Sequence, residues 1–166
     1  MLVSSARGTS TTRRPCCSAR PSRRPQGQFL DLGCGYGVIG LAMATAIPLA
    51  NITAVDVNER ALLLANDNAR ALGVEGRFIA CRPDQVPANA TYDEIWSNPP
   101  IRIGKQALHE LLLEWLPRLR PDGRAVMIVG KHLGADSLQR WLGDQGWPTT
   151  RLASAKGFRV LETRRR

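Results

Sequence analysis

Residues 29–46 constrain the fold more than any other stretch: Phe29-Leu30-Asp31-Leu32, a turn with glycine at 33, 35 and 37, then the apolar run Val38–Ala46. A short apolar segment that passes through glycines into a helical pattern is a strand-turn-helix unit. Glycines at those positions keep side chains away from the backbone amides and the helix N-terminus, so a ligand can lie against both.

The alternation continues along the chain. Asn51–Val55 is predicted as the second strand, ending at Asp56. Asn58 then caps a helix whose Ala61, Leu62, Ala65, Ala69 and Leu72 repeat at three- and four-residue intervals up to Gly73. Gly76–Ala80, Tyr92–Ser97 and Gly123–Val129 are predicted as strands three to five. Before the fifth, Leu108, Leu111, Leu112, Trp115, Leu116 and Leu119 make one apolar stripe of a helix ending near Pro117–Pro121. After a short helix over Ser137–Gln145, Thr149–Ser154 and Phe158–Thr163 are separated only by Ala155-Lys156-Gly157, which suits an antiparallel hairpin and excludes a crossover helix. The expected fold is α/β and Rossmann-like, a mostly parallel seven-stranded sheet ending in an antiparallel hairpin, with helices on both faces.

A formal charge of +9 and a pI near 10.4 suggest an anionic partner, but the ends carry the charge. Residues 1–27 hold Arg7, Arg13, Arg14, Arg20, Arg23 and Arg24 and no acid; Arg164, Arg165 and Arg166 add three more, and residues 28–163 balance 14 bases against 14 acids. With so little to bury, residues 1–27 are expected to be a disordered Arg/Ser/Pro-rich tail, and residues 28–166 a single domain. Cys16, Cys17, Cys34 and Cys81 have neither zinc-ligand spacing nor the density of a disulfide scaffold, so no metal and a reducing, cytoplasmic setting are expected. No apolar run has membrane-spanning length, and a soluble monomer with no membrane partner is expected.

Two cofactors compete for the glycine turn. Gly35-Tyr36-Gly37-Val38-Ile39-Gly40 matches a dinucleotide fingerprint, with Asp56 about where a ribose-binding acid should fall, so a nicotinamide-dependent oxidoreductase is one rival. Asp31 separates the two. A carboxylate at the strand's end repels a pyrophosphate and attracts a ligand carrying an ammonium and a sulfonium. Asp31, Gly33, Gly35 and Gly37 resemble motif one of class I S-adenosylmethionine-dependent methyltransferases. That resemblance implies S-adenosylmethionine as cofactor, with Asp56 accepting hydrogen bonds from both ribose hydroxyls beside Val57, Asp84 near the adenine amino group, and Asn98 bordering the same site.

Asn98-Pro99-Pro100, directly after the fourth strand, resembles the catalytic motif of methyltransferases that act on planar nitrogens. Such a nitrogen is conjugated and must present electron density in line with the leaving sulfur. The Asn98 side-chain oxygen and the Pro99 carbonyl can each accept one of its N–H groups, while two prolines hold that backbone in advance. No strong base is needed; His109 is expected on a helix surface or interface, and His132 could approach the substrate.

The stretches Asn98–Lys105, Lys131–Ala135 and Lys156–Leu161 are together similar to the "methyltransferase small" group, which includes ribosomal RNA small-subunit guanine-N2 methyltransferases. Membership implies methylation of the guanine 2-amino group in rRNA, with Asn98, Pro99 and Pro100 catalytic. Ile101 stands where many Asn-Pro-Pro enzymes place an aromatic, and can give the base only apolar contact. Arg102, Lys105, Lys131 and Lys156 map to the carboxyl edge of the strands, where a basic rim would suit an RNA backbone. A protein glutamine, a DNA adenine and a non-catalytic RNA-binding role through the Arg-rich ends stay open as alternatives.

Overall fold

The protein is described by a computed structural model, which covers residues 26–99 and 103–165. Seven strands form one sheet: β1 (Gln26–Leu32), β2 (Leu49–Val55), β3 (Phe78–Cys81), β4 (Tyr92–Ser97), β5 (Leu119–Gly130), β6 (Thr149–Ala155) and β7 (Phe158–Arg164). Their order is β3-β2-β1-β4-β5-β7-β6, and β7 alone runs against the rest. The expected parallel sheet with a terminal hairpin is present. The chain reverses its direction of build between β1 and β4, which places the crevice for a ligand at their carboxyl ends.

Among the described residues four α-helices cover the two faces: α1 (Val38–Ala46), α2 (Glu59–Ala71), α3 (Lys105–Trp115) and α4 (Ala135–Asp144). Leu41, Ala44, Leu62 and Ala65 of α1 and α2 pack with Phe29, Ile52, Phe78 and Trp96 of the sheet. On the other face Leu108, Leu112, Trp115, Leu138 and Leu142 of α3 and α4 meet Leu30, Leu32, Ile95, Met127 and Leu161. Strand residues thus alternate between two apolar layers, as a doubly covered sheet requires. Asn58 caps α2 as expected, accepting from the N–H groups of Arg60 (3.1 Å) and Ala61 (3.4 Å). The helix stops at Gly73 (φ 67°), with paired bonds Val74 N–H to Ala69 and Gly73 N–H to Arg70, both 3.0 Å.

The boundaries differ most at β5, which begins at Leu119 and not at Gly123. Leu119 already pairs with Tyr92; the ladder then bulges and resumes at Arg124 opposite Glu94. Pro121, which has no N–H, and left-handed Asp122 (φ 62°) are accommodated in that bulge. Helix α4 starts two residues early because Gly134 (φ 84°) serves as its N-cap. The expected disordered tail ran through residue 27, but Gln26 and Gly27 belong to β1, paired with Leu49 and Ala50 of β2; residues 1–25 lie outside the described residues.

Gly40 brings α1 close against the sheet. A Cβ there would lie 2.9 Å from the Phe78 ring, 3.0 Å from an Asp31 oxygen and 3.0 Å from Ile52. Gly40→Ala is therefore expected to cost about 1–3 kcal/mol, read as a fall of about 3–9 °C in melting temperature by calorimetry.

Candidate active site at the carboxyl edge of the central strands

Val55, Leu32 and Ser97 occupy one level across three adjacent strands, since Leu32 pairs with both Val55 and Ser97. All three are almost fully buried. The residue that follows each is a predicted site residue: Asp56 after β2, Gly33 after β1, Asn98 after β4. Neighbouring parallel strands lie about 4.8 Å apart, so these groups share one short edge.

Gly33, Gly35 and Gly37 have φ of 72°, 54° and 91°, a left-handed run that side chains rarely adopt. No atom lies within 4 Å of where a Gly35 Cβ would sit, so that glycine borders open space. The Asp56 carboxylate shapes the turn, accepting from the Gly35 N–H (2.8 Å) and the Asn58 N–H (2.9 Å). Each oxygen keeps a further acceptor position for a hydroxyl donor. Val57, which follows it in the chain, is 75% exposed, and Tyr36 in the glycine turn 57%.

Asp31 is buried, and one of its oxygens accepts from the Gly40 N–H at 2.7 Å. Its other oxygen, Oδ1, is buried with no hydrogen-bond partner among the described residues. Burial, opposed by the Gly40 bond and reinforced by the nearby Asp56 charge, pushes its carboxyl up to about 6. A buried carboxylate oxygen without a donor is costly, and a cationic donor is what would relieve it. The residues present therefore fit S-adenosylmethionine, whose ammonium would meet Asp31 and whose ribose would meet Asp56.

The raised Asp31 value has a consequence for the ligand-free protein. Between about pH 4 and 6 the folded state keeps this proton while the unfolded chain has lost it, so stability falls as pH rises through that window. The loss reaches on the order of 2–3 kcal/mol by pH 7. It is expected as a difference between wild type and Asp31→Asn that opens from pH 4 to 7 in urea unfolding.

Asn98 is exposed and Pro99 buried at the end of β4. Pro100, Ile101 and Arg102 lie outside the described residues. Lys105 opens α3, Lys131 follows β5 and Lys156 sits in the β6–β7 turn, all exposed at the same carboxyl edge. The Lys131 N–H donates to the Gly157 carbonyl at 2.6 Å and ties two of these segments together. A cavity of about 150 Å³ between the first turns of α3 and α4 is lined by Lys105, His109, Gly134 and Ser137 among others.

Other expectations are placed differently. Asp84 lies in the single turn Pro83–Gln85 with a largely exposed side chain, paired to Arg82 (3.3 Å), which also reaches Glu59 (3.2 Å). His109 stacks on Trp141, with ring centroids 3.5 Å apart and an 8° interplanar angle, and burial with nearby Lys105 lowers its pKa. It serves the α3–α4 contact. Cys34, inside the glycine turn, is buried and its thiol is pushed up to about 12 by burial and by the charges of Asp31 and Asp56, which leaves it inert. Arg164 and Arg165 are not free arms: Arg164 pairs with Glu162 (2.8 Å) and Arg165 donates to the Pro117 and Leu119 carbonyls.

Among the described residues no group of three or more His, Cys, Asp or Glu could hold a metal ion, and no helix is long and apolar enough to cross a membrane. Nothing in the sequence singles out Ser97, whose hydroxyl donates to the Leu32 carbonyl at 2.7 Å. Its partner is 65 residues away, and no local pattern marks such a bond.

Known proteins resemble this chain in both sequence and shape. YbxB of Bacillus subtilis is 32% identical over 142 residues, which cover 84% of this chain and 71% of that protein. The ribosomal RNA small subunit methyltransferase C of Ectopseudomonas mendocina is 34% identical over 85% of this chain. The release factor glutamine methyltransferase of Bordetella pertussis is 41% identical over 86%. The chain spans 43% and 57% of the length of those two enzymes. Among solved structures, the T. thermophilus 16S rRNA N2 G1207 methyltransferase, in complex with AdoMet and guanosine, superposes with a TM-score of 0.69 at 24% identity, over 84% of this chain and 38% of its own. Residues 18–162 match the methyltransferase small domain family, to which this chain belongs.

Proposed function

We propose that the chain transfers a methyl group from S-adenosylmethionine to a planar nitrogen held at Asn98, and that this nitrogen is the guanine 2-amino group of small-subunit ribosomal RNA. One observation carries the reading: the shared level of Val55, Leu32 and Ser97 sets the glycine turn, Asp56 and Asn98 side by side. Bound S-adenosylmethionine supplies an electrophilic methyl on a good leaving group. Asp31 and Asp56 orient it through its ammonium and ribose hydroxyls. The Asn98 side-chain oxygen and the Pro99 carbonyl accept the two N–H groups of the acceptor and turn its lone pair toward the methyl. No residue need remove a proton before transfer. Lys105, Lys131 and Lys156 meet the RNA phosphates, with Arg102, Ile101 and Pro100 completing the acceptor side.

The identity to the release factor enzyme favours a second reading, a glutamine amide, which offers the same two N–H groups to Asn98. Tritiated methyl is to be offered on an unmethylated small-subunit rRNA transcript and on a purified release factor. N2-methylguanosine in the RNA is the expected product. Label confined to the factor's glutamine selects the second reading, and label in neither rejects both.

A further inference from the structure

We infer that Ser97 is a positioning residue for methyl transfer: its hydroxyl, by holding the Leu32 carbonyl, fixes the spacing between the donor-binding turn and the acceptor-binding amide. The inference rests on reading Asn98 as the group that holds the acceptor nitrogen.

The peptide joining Leu32 to Gly33 is gripped from both sides. Its N–H, from Gly33, donates to the Val55 carbonyl of β2 at 2.9 Å, and the next amide, from Cys34, donates to the same oxygen at 3.0 Å. Because the C=O and N–H of a trans peptide point in opposite directions, the Leu32 carbonyl faces β4. There the parallel register brings up the Asn98 amide at the end of the ladder, and beyond it Pro99 has no N–H to continue the pairing. The Ser97 hydroxyl donates to this carbonyl at 2.7 Å, in a buried setting. Serine is otherwise a poor choice for a position 1% exposed at the end of a strand whose six residues are all buried.

The geometry couples three ligand-bearing residues. Asp56 is one residue beyond Val55, the glycine turn begins one residue beyond Leu32, and Asn98 is one residue beyond Ser97. β1 is backbone-paired to both β2 and β4 at this level, and the Ser97 hydroxyl adds a buried side-chain bond on the β4 side, where that ladder ends. Removing that hydroxyl takes a buried bond from the Leu32 carbonyl at the last rung of the β1–β4 ladder and loosens the start of the Asn-Pro-Pro corner. Displacements of about 1 Å at reacting atoms cost on the order of 100-fold in rate. The donor side, gripped by β2, keeps its shape.

The test compares Ser97→Ala, Ser97→Thr and Asn98→Ala in single-turnover methyl transfer at saturating cofactor, using the unmethylated rRNA transcript, alongside calorimetric affinity for S-adenosylmethionine. Ser97→Ala is expected to lose 10- to 100-fold in transfer rate with cofactor affinity within twofold of wild type, and Ser97→Thr, which restores a hydroxyl, to recover most of the rate. Ser97→Ala that is folded, binds cofactor and transfers at the wild-type rate, while Asn98→Ala is slow, overturns the inference alone. Asn98→Ala transferring at the wild-type rate overturns the underlying reading, and the inference with it.

Discussion

Asp31→Asn is expected to weaken S-adenosylmethionine binding about 100-fold while raising the melting temperature of the free protein by about 3–6 °C. The two effects have one origin. Asp31 sits in the core with its carboxyl pushed up to about 6, first by burial and then by the Asp56 charge, with the Gly40 N–H at 2.7 Å as its counterweight. At pH 7.5 the ligand-free protein must ionise this group in a buried position, at a cost of on the order of 2–3 kcal/mol. An asparagine oxygen can keep the Gly40 bond without the charge, so the free fold relaxes. In the proposed site the cofactor then loses the carboxylate that its ammonium would pair with, about 2.7 kcal/mol for a 100-fold change. Calorimetric titration and differential scanning calorimetry on the same sample read both. Tighter binding, or a lower melting temperature with unchanged binding, would show that Asp31 serves the fold and not the ligand.

Asn98→Ala is expected to separate chemistry from cofactor binding. Its side chain is exposed at the edge, so truncation leaves no buried group unpaired and the fold should melt within about 1–2 °C of wild type. The transfer rate at saturating cofactor and acceptor is expected to fall about 100- to 1,000-fold, as when one preorganised polar contact to a reacting group is removed. Cofactor affinity should move less than threefold, because Asp31 and Asp56 are untouched. A fall in both rate and specificity constant by the same factor would place the Asn98 contact in the transition state. A rise in the Michaelis constant alone would assign it to simple binding.

Much of the architecture was legible because each strand and helix carries its own period. Asn58 and Gly73 announced both ends of α2, and three residues between the last two strands allowed only a hairpin. The carboxyl-edge position of Asp31, Asp56 and Asn98 followed from strand direction. What the sequence hid was every feature set by partners far along the chain. Asp93 and Glu94 look out of place in a strand of which all six residues are buried. Their charges are met by Arg120 (2.9 Å), and by Arg124, which lies 3.0 Å from Glu94 and 3.1 Å from Glu162 of β7. The Trp96 indole also donates to Glu94 at 2.8 Å. A buried cluster of this kind is tolerable only when each member is satisfied, and no local window contains more than part of it. The early start of β5 was missed for the opposite reason: Pro121, Asp122 and Gly123 are turn formers, and here they form a bulge between two paired stretches.

Asp84 shows a limit of motif transfer. Its position after β3 is as expected, but an exposed carboxylate shared with Arg82 in a one-turn helix is also what an ordinary surface loop would contain. Asp31 is different in kind, because its unsatisfied oxygen is a property of the folded protein and asks for a cation.

The most direct measurement is a crystal structure of the protein with S-adenosylmethionine and guanosine bound together. The methyl carbon and the guanine 2-amino nitrogen should lie about 3–3.5 Å apart, with that nitrogen in hydrogen-bond reach of the Asn98 oxygen. A cofactor seated away from Asp31 and Asp56, or an acceptor nitrogen beyond reach of both Asn98 and the methyl, would contradict the assignment.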